Sequence, residues 1–152
     1  MHLIQYLLNT PPFRNARFIL DNKGSKYWIS WSYVDGLARV LIIFRGKIIG
    51  IANLILESKH RAELAEINIF KKENSNTLRR RGLGKAIMKE VIKYAFVHRV
   101  KTISGLIKPH AGESLSYLKE WYRRQDFTVT KTNKQTFRIT MNLSNKSIQQ
   151  KP

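Results

Sequence analysis

The chain has 152 residues, one domain's worth, and 43% of them are hydrophobic, enough for a buried core and too many for a disordered basic tail. It contains no cysteine, which excludes disulfides, thiolate zinc sites and cysteine nucleophiles and is compatible with a cytoplasmic setting. The formal net charge of +18 is uneven, with nineteen Lys/Arg against five acids in residues 71–152 and nine against five before them. This points to an anionic partner such as a phosphorylated cofactor, RNA or an acidic protein, unless the charge only solubilises the surface.

No apolar run reaches the roughly 18–20 residues of a membrane span. Residues 3–8 read as a short first helix, stopped by the prolines of NTPP. Residues 11–26 read as loop, closing on the turn signal DNKGS. KYWISWSYV is rich in aromatic and β-branched residues and predicts a strand, turned by Asp35-Gly36. LARVLIIFRGKIIGIANLILES predicts two strands joined at Arg45-Gly46-Lys47, and AELAEINIF a further one. In that last strand Ile67 and Ile69 share a face while Leu64 falls out of phase. An antiparallel meander over about residues 27–70 follows.

The period then changes. Leu83, Ile87, Val91 and Ala95 recur every four residues, with Lys85, Lys89 and Lys93 in a separate row, the pattern of an amphipathic helix with a basic edge. KTISGLIKP returns to strand, residues 114–124 predict a second helix, and FTVTK and TFRITMNL a closing pair of strands. A strand-helix-strand unit favours parallel pairing by a right-handed crossover. The expected fold is therefore α/β (α+β), a three-layer domain with a mixed central β-sheet flanked by helices. It would occupy residues 1–143, with a flexible tail at 144–152.

The segment Arg79-Arg80-Arg81-Gly82-Leu83-Gly84 lies where a polar loop meets the first long helix. Glycine lets backbone approach a ligand closely, and the first amides of a helix lack internal partners at the positive end of its dipole, so an anionic phosphate is satisfied there. An ATP-binding Walker loop requires Ser or Thr after Gly-Lys, but Ala86 follows Gly84-Lys85. A dinucleotide fingerprint requires a third glycine, but Ile87 stands there.

Arg79-x-x-Gly82-x-Gly84 matches the Arg/Gln-x-x-Gly-x-Gly/Ala motif of the GNAT superfamily of N-acetyltransferases, and the chain resembles that family over about residues 36–143. The downstream LKEWYRRQDFTV supports the resemblance. It sets Tyr122 and Phe127 on the family's Tyr-x-x-x-Gly-Phe pattern, with Asp126 in place of the glycine. Where the family often has an asparagine this chain has Leu115, with the polar Ser114 beside it.

The resemblance implies direct transfer of acetyl from acetyl-CoA to a primary amine of a protein or small molecule. The amides of Arg81, Gly82, Leu83, Gly84 and Lys85 would hold the pyrophosphate, with charge from Arg79 and Arg80. Backbone groups of Ile69, Phe70 and Lys71 would pair with the pantetheine arm, and Ser114 would join the cofactor contacts. Tyr122 would be general acid, or else a core aromatic beside Leu115 and Leu118. Glu63 is the favoured base, with Glu66 second and directed by alternation to the other side of the strand. Either glutamate could instead be a surface carboxylate.

The four histidines show no ligand spacing, so no metal is expected. Two other readings stand beside the first. One is a toxin-like enzyme acetylating aminoacyl-tRNA, and the other is a non-catalytic nucleic-acid-binding domain with Tyr117, Trp121 and Tyr122 as stacking surfaces. A short N-terminal region suits an open acceptor site, facing a macromolecule or completed by a second subunit as a homodimer.

Overall fold

The computed structural model describes residues 16–70, 82–109, 113–133 and 135–144. The helix expected at residues 3–8 and the tail beyond Ser144 lie outside them. The first described element is a correction. Within the expected loop, Arg17–Leu20 forms strand β1, paired antiparallel with β2 (Lys26–Val34) from Arg17↔Ile29 to Leu20↔Lys26. Four residues are too few to display a period. They sit at the sheet edge with Phe18 and Leu20 exposed, so burial leaves little trace in the sequence. The turn after β1 is organised by Asp21, whose Oδ1 accepts the amides of Lys23 and Ser25 and whose Oδ2 accepts the Tyr27 hydroxyl at 2.8 Å.

The meander continues through β3 (Leu37–Phe44), β4 (Lys47–Leu56) and β5 (Arg61–Ile69). Asp35-Gly36 and Arg45-Gly46 both take positive φ, 48° and 81° then 46° and 83°, the backbone of two-residue hairpin turns whose twist matches the strands they join. Helix α1 (Leu83–Val97) then crosses to β6 (Thr102–Leu106), and α2 (Leu115–Arg124) leads to β7 (Thr128–Lys131) and β8 (Phe137–Asn142). The eight strands lie in the order β1-β2-β3-β4-β5-β6-β8-β7, with β5 and β6 parallel and the other neighbours antiparallel. The expected mixed sheet is present.

Val40, Ala52, Leu54, Ala62 and Leu64 form one face of the meander, and α1 buries Leu83, Ile87, Met88, Val91 and Ala95 in the same core. Lys85, Lys89 and Lys93 remain exposed, as the helical period requires. Glu90 is the exception on the buried side of α1, and Arg17 of β1 pairs with it. Helix α2 lies on the same face of the sheet: Trp121 lies against Gly84 of α1, and Lys119 sits 4.1 Å over the Phe137 ring. Among the described residues no helix is long and apolar enough to cross a membrane.

Strand β5 contains the irregularity that matters most. Asn53 pairs with Glu66 and Leu54 with Leu64, so Ala65 is an extra residue, a β-bulge. The bulge absorbs the phase slip visible in the sequence, and Leu64 and Ile67 share the face turned to α1. It also corrects the expectation for the glutamates. Their partners Asn53 and Ile55 lie two apart on β4, so Glu63 and Glu66 stand on the same side of β5, away from α1.

Candidate active site

Strand β5 is parallel to β6 for a short stretch only, pairing Arg61↔Thr102, Ala62↔Ile103 and Glu63↔Ser104. Beyond Glu63 the strands part. A methyl on Gly105 would lie 2.6 Å from the Leu64 carbonyl oxygen, so the bulged backbone closes on β6 only because residue 105 has no Cβ. Past that contact opens a cavity of about 220 Å³, bordered by Leu64, Ala65, Glu66, Ile67, Leu106, Lys108 and Tyr122.

The cavity brings together two of the expected catalytic residues, Glu66 and Tyr122. Glu63 does not border it, because its backbone lies in the last parallel pair, where the strands are still joined. The Glu66 carboxylate is held from β4 and β3: Asn53 Nδ2 donates to its Oε2 at 2.9 Å, and Arg39 Nε donates to Asn53 Oδ1 at 3.0 Å. Three adjacent strands thus fix the carboxylate of a residue that borders the cavity.

Tyr122 reaches the cavity from α2 and is 7% exposed. The rings of Trp121 and Phe127 flank it edge-on at 5.0 and 5.8 Å. Burial, and secondarily the Glu113 carboxylate, holds its phenol well above the ordinary tyrosine range, so it stays protonated at neutral pH. The turn that ends its helix forms despite Asp126. Asp126 takes φ 68°, with its amide donating to the Arg123 carbonyl and the Phe127 amide to that of Tyr122, the reciprocal C-cap usually built on glycine. Phe127 is thereby turned into the core.

Trp121 links the cavity to the start of α1. There Gly82 is the N-cap at φ 80°, ψ 7°, with no side-chain cap and no acid in the first turn. The first helical bond runs from the Ala86 amide to the Gly82 carbonyl, leaving the amides of Leu83, Gly84 and Lys85 at the positive helix end without helical partners. Methyl groups would lie 2.8 Å from Asn22 Oδ1 at Gly82 and 3.3 Å from Trp121 Cζ2 at Gly84. Both glycines therefore also accommodate protein neighbours. Arg79, Arg80, Arg81 and Lys71 lie outside the described residues.

The remaining expected contacts divide. The Phe70 amide donates to the Ile49 carbonyl at 2.8 Å, so it is spent on β4 and is not open to a cofactor. Alternation then turns the N–H and C=O of Ile67 and Ile69 to the other edge of β5, toward the opening. Ser114 is the N-cap of α2, and its hydroxyl accepts the Tyr117 amide at 3.3 Å. That contact is a structural one. Sequence reasoning did not find Lys108, Asn53 or Arg39. Leu64 out of phase was the one signal of the bulge that aligns this group.

A bulged strand splayed from a parallel neighbour, beside an uncapped glycine-bearing helix start, defines an acyl-CoA N-acyltransferase type of fold. Residues 5–127 match the acetyltransferase (GNAT) family model, and the chain belongs to that family of acetyltransferases. Among solved structures it is similar to the GNAT domain of S. lividans PAT, with TM-score 0.68 and 8% identity over 84% of this chain and 97% of that one. It is also similar to a GNAT family acetyltransferase from Elizabethkingia anophelis with acetyl-CoA bound, at TM-score 0.58 and 19% identity over 73% and 79%. A third is Campylobacter jejuni N-acetyltransferase PseH in complex with acetyl coenzyme A, at 0.52 and 21% over 72% and 70%. Identities this low establish the shared fold. No curated protein sequence matches the chain.

Proposed function

We propose that the protein transfers an acetyl group from acetyl-CoA to a primary amine by direct attack in the β5–β6 cavity. The observation that carries this reading is the cavity itself, bordered by Glu66, whose carboxylate is fixed, and by Tyr122, whose phenol is buried and protonated. The residues present fit the cofactor. The uncapped amides of Leu83, Gly84 and Lys85 suit its pyrophosphate, with charge from the Arg79-Arg80-Arg81 motif. The edge of β5 at Ile67 and Ile69, unpaired among the described strands, suits the amides of its pantetheine arm.

Bound acetyl-CoA supplies an activated thioester carbonyl and a leaving thiolate. Glu66, rather than Glu63, takes the proton that makes the acceptor amine nucleophilic, directly or through a water. The amine nitrogen bonds to the carbonyl carbon as the C–S bond breaks. Tyr122 hydrogen-bonds the departing sulfur and passes it a proton. Of the two protons an ammonium gives up, one replaces that of Tyr122 and the other reaches solvent from Glu66.

Calorimetric titration of the full chain with acetyl-CoA, with and without Glu66→Gln, tests the reading. Stoichiometric binding is expected for both proteins, with about 2.7 kcal/mol of stabilisation at a hundredfold excess over Kd. Turnover in Glu66→Gln should fall by about 10² or more. No binding at saturating ligand rejects the proposal.

A further inference from the structure

Two residues of opposite formal charge border the cavity, Glu66 from β5 and Lys108 from the segment after β6. They do not pair with each other. The ion pairs formed among the described residues, Arg17–Glu90 and Glu120–Arg123, involve neither. Asn53 occupies one oxygen of Glu66, and a carboxylate has roughly four acceptor positions, so the group can still receive an ammonium.

At about 220 Å³ the space admits water, which satisfies both charges while it is present. An acceptor that enters displaces that water, and each charge then needs a partner or bears the cost of desolvation. A plain amine answers Glu66 but adds a second positive charge beside Lys108. A molecule with an ammonium next to a carboxylate answers both.

Resting on the acetyl-transfer reading above, we propose that the acceptor is a small amino acid-like zwitterion. Glu66 takes its ammonium and Lys108 its carboxylate, which makes Lys108 the residue that selects the substrate class. The group transferred and the bonds exchanged are those already given, and the carboxylate takes no part in them.

The test compares matched pairs: alanine with ethylamine, phenylalanine with phenethylamine, lysine with cadaverine, and phosphoethanolamine with ethanolamine. Transfer is followed by thiol release from acetyl-CoA, and CoA binding is measured calorimetrically on the same samples. The amino acids should exceed their decarboxylated partners in kcat/KM by roughly tenfold or more, the value of one charged contact. Lys108→Met should remove the difference and Lys108→Glu should reverse it, both without change in CoA affinity.

Equal or better use of the plain amines overturns the proposal, as does a preference that survives both Lys108 variants. A preference for phosphoethanolamine alone overturns the carboxylate and assigns Lys108 to a phosphate. Failure of every amine in a protein that binds CoA rejects the acceptor class and leaves the cofactor reading standing. Failure to bind CoA takes both down.

Discussion

Helix α1 begins at Gly82, which has no side chain to cap it, whereas α2 begins at Ser114, whose hydroxyl accepts the Tyr117 amide. Neither first turn contains an acid. The positive end of α2 is thus answered by its own chain, while that of α1 has no side-chain cap among the described residues. The later part of α2 also reaches the start of α1, since Trp121 lies against Gly84. One start is capped and belongs to the helix that presents Tyr122, and the other has no side-chain cap among the described residues. Under the proposed function, the difference separates residues that hold the fold from residues that hold the cofactor.

The largest way to break this comparison is Gly82→Val. The left-handed backbone at φ 80° and the 2.8 Å approach to Asn22 both oppose a β-branched side chain. A loss of about 2 kcal/mol in calorimetric stability is expected, drawn mostly from the left-handed penalty of ~1–2 kcal/mol. CoA affinity should fall more than about tenfold because the first-turn amides shift. Ser114→Ala is the contrasting variant. It should cost about 1 kcal/mol in denaturant unfolding and leave CoA affinity untouched. A loss of affinity there would return Ser114 to the cofactor contacts.

Gly84→Ala sharpens the comparison at a smaller scale. Alanine in a helix interior gains up to ~1 kcal/mol over glycine. Trp121 must retreat from the new methyl, so the net change should stay within about 0.5 kcal/mol. A changed Trp121 emission would report that retreat. A full gain with unaltered emission would mean that the indole does not press on this helix.

The contrast also divides what the sequence made legible from what it did not. The start of α1 could be read because glycines, a change of hydrophobic period and a lysine row coincide within a dozen residues. The meander was legible in its two glycine-ended turns, and Tyr122 and Phe127 through the family pattern they resemble. Strand β1 was not, because an exposed four-residue edge strand leaves no periodic trace. The side of β5 that presents Glu66 was not legible either. One inserted residue at Ala65 reverses every later side chain, and period-2 reasoning assumes that no such residue exists. Lys108 and Asn53 gave no local signal, since they enter the site through pairing between distant strands and the parting of β5 from β6.

The smallest effect expected is an absence. Tyr122 acts as a donor only while protonated, and burial with the nearby Glu113 carboxylate raises its pKa above the ordinary value near 10. The pH–rate profile should therefore show no alkaline decline from this group between pH 7 and 10. Stability carries the same signature. The folded state holds the Tyr122 proton more tightly than the unfolded chain, so the tyrosine contribution is fully present below about pH 10 and is lost as pH rises beyond it. Tyr94, also raised, by burial and then by Tyr33, adds in the same direction. Tyr122→Phe should leave stability near neutral pH little changed and weaken the alkaline loss, measured by urea unfolding from pH 8 to 11. An alkaline slope identical in wild type and variant would show that the phenol is wetter than its surroundings imply, and would remove the reason for treating it as a permanently loaded donor.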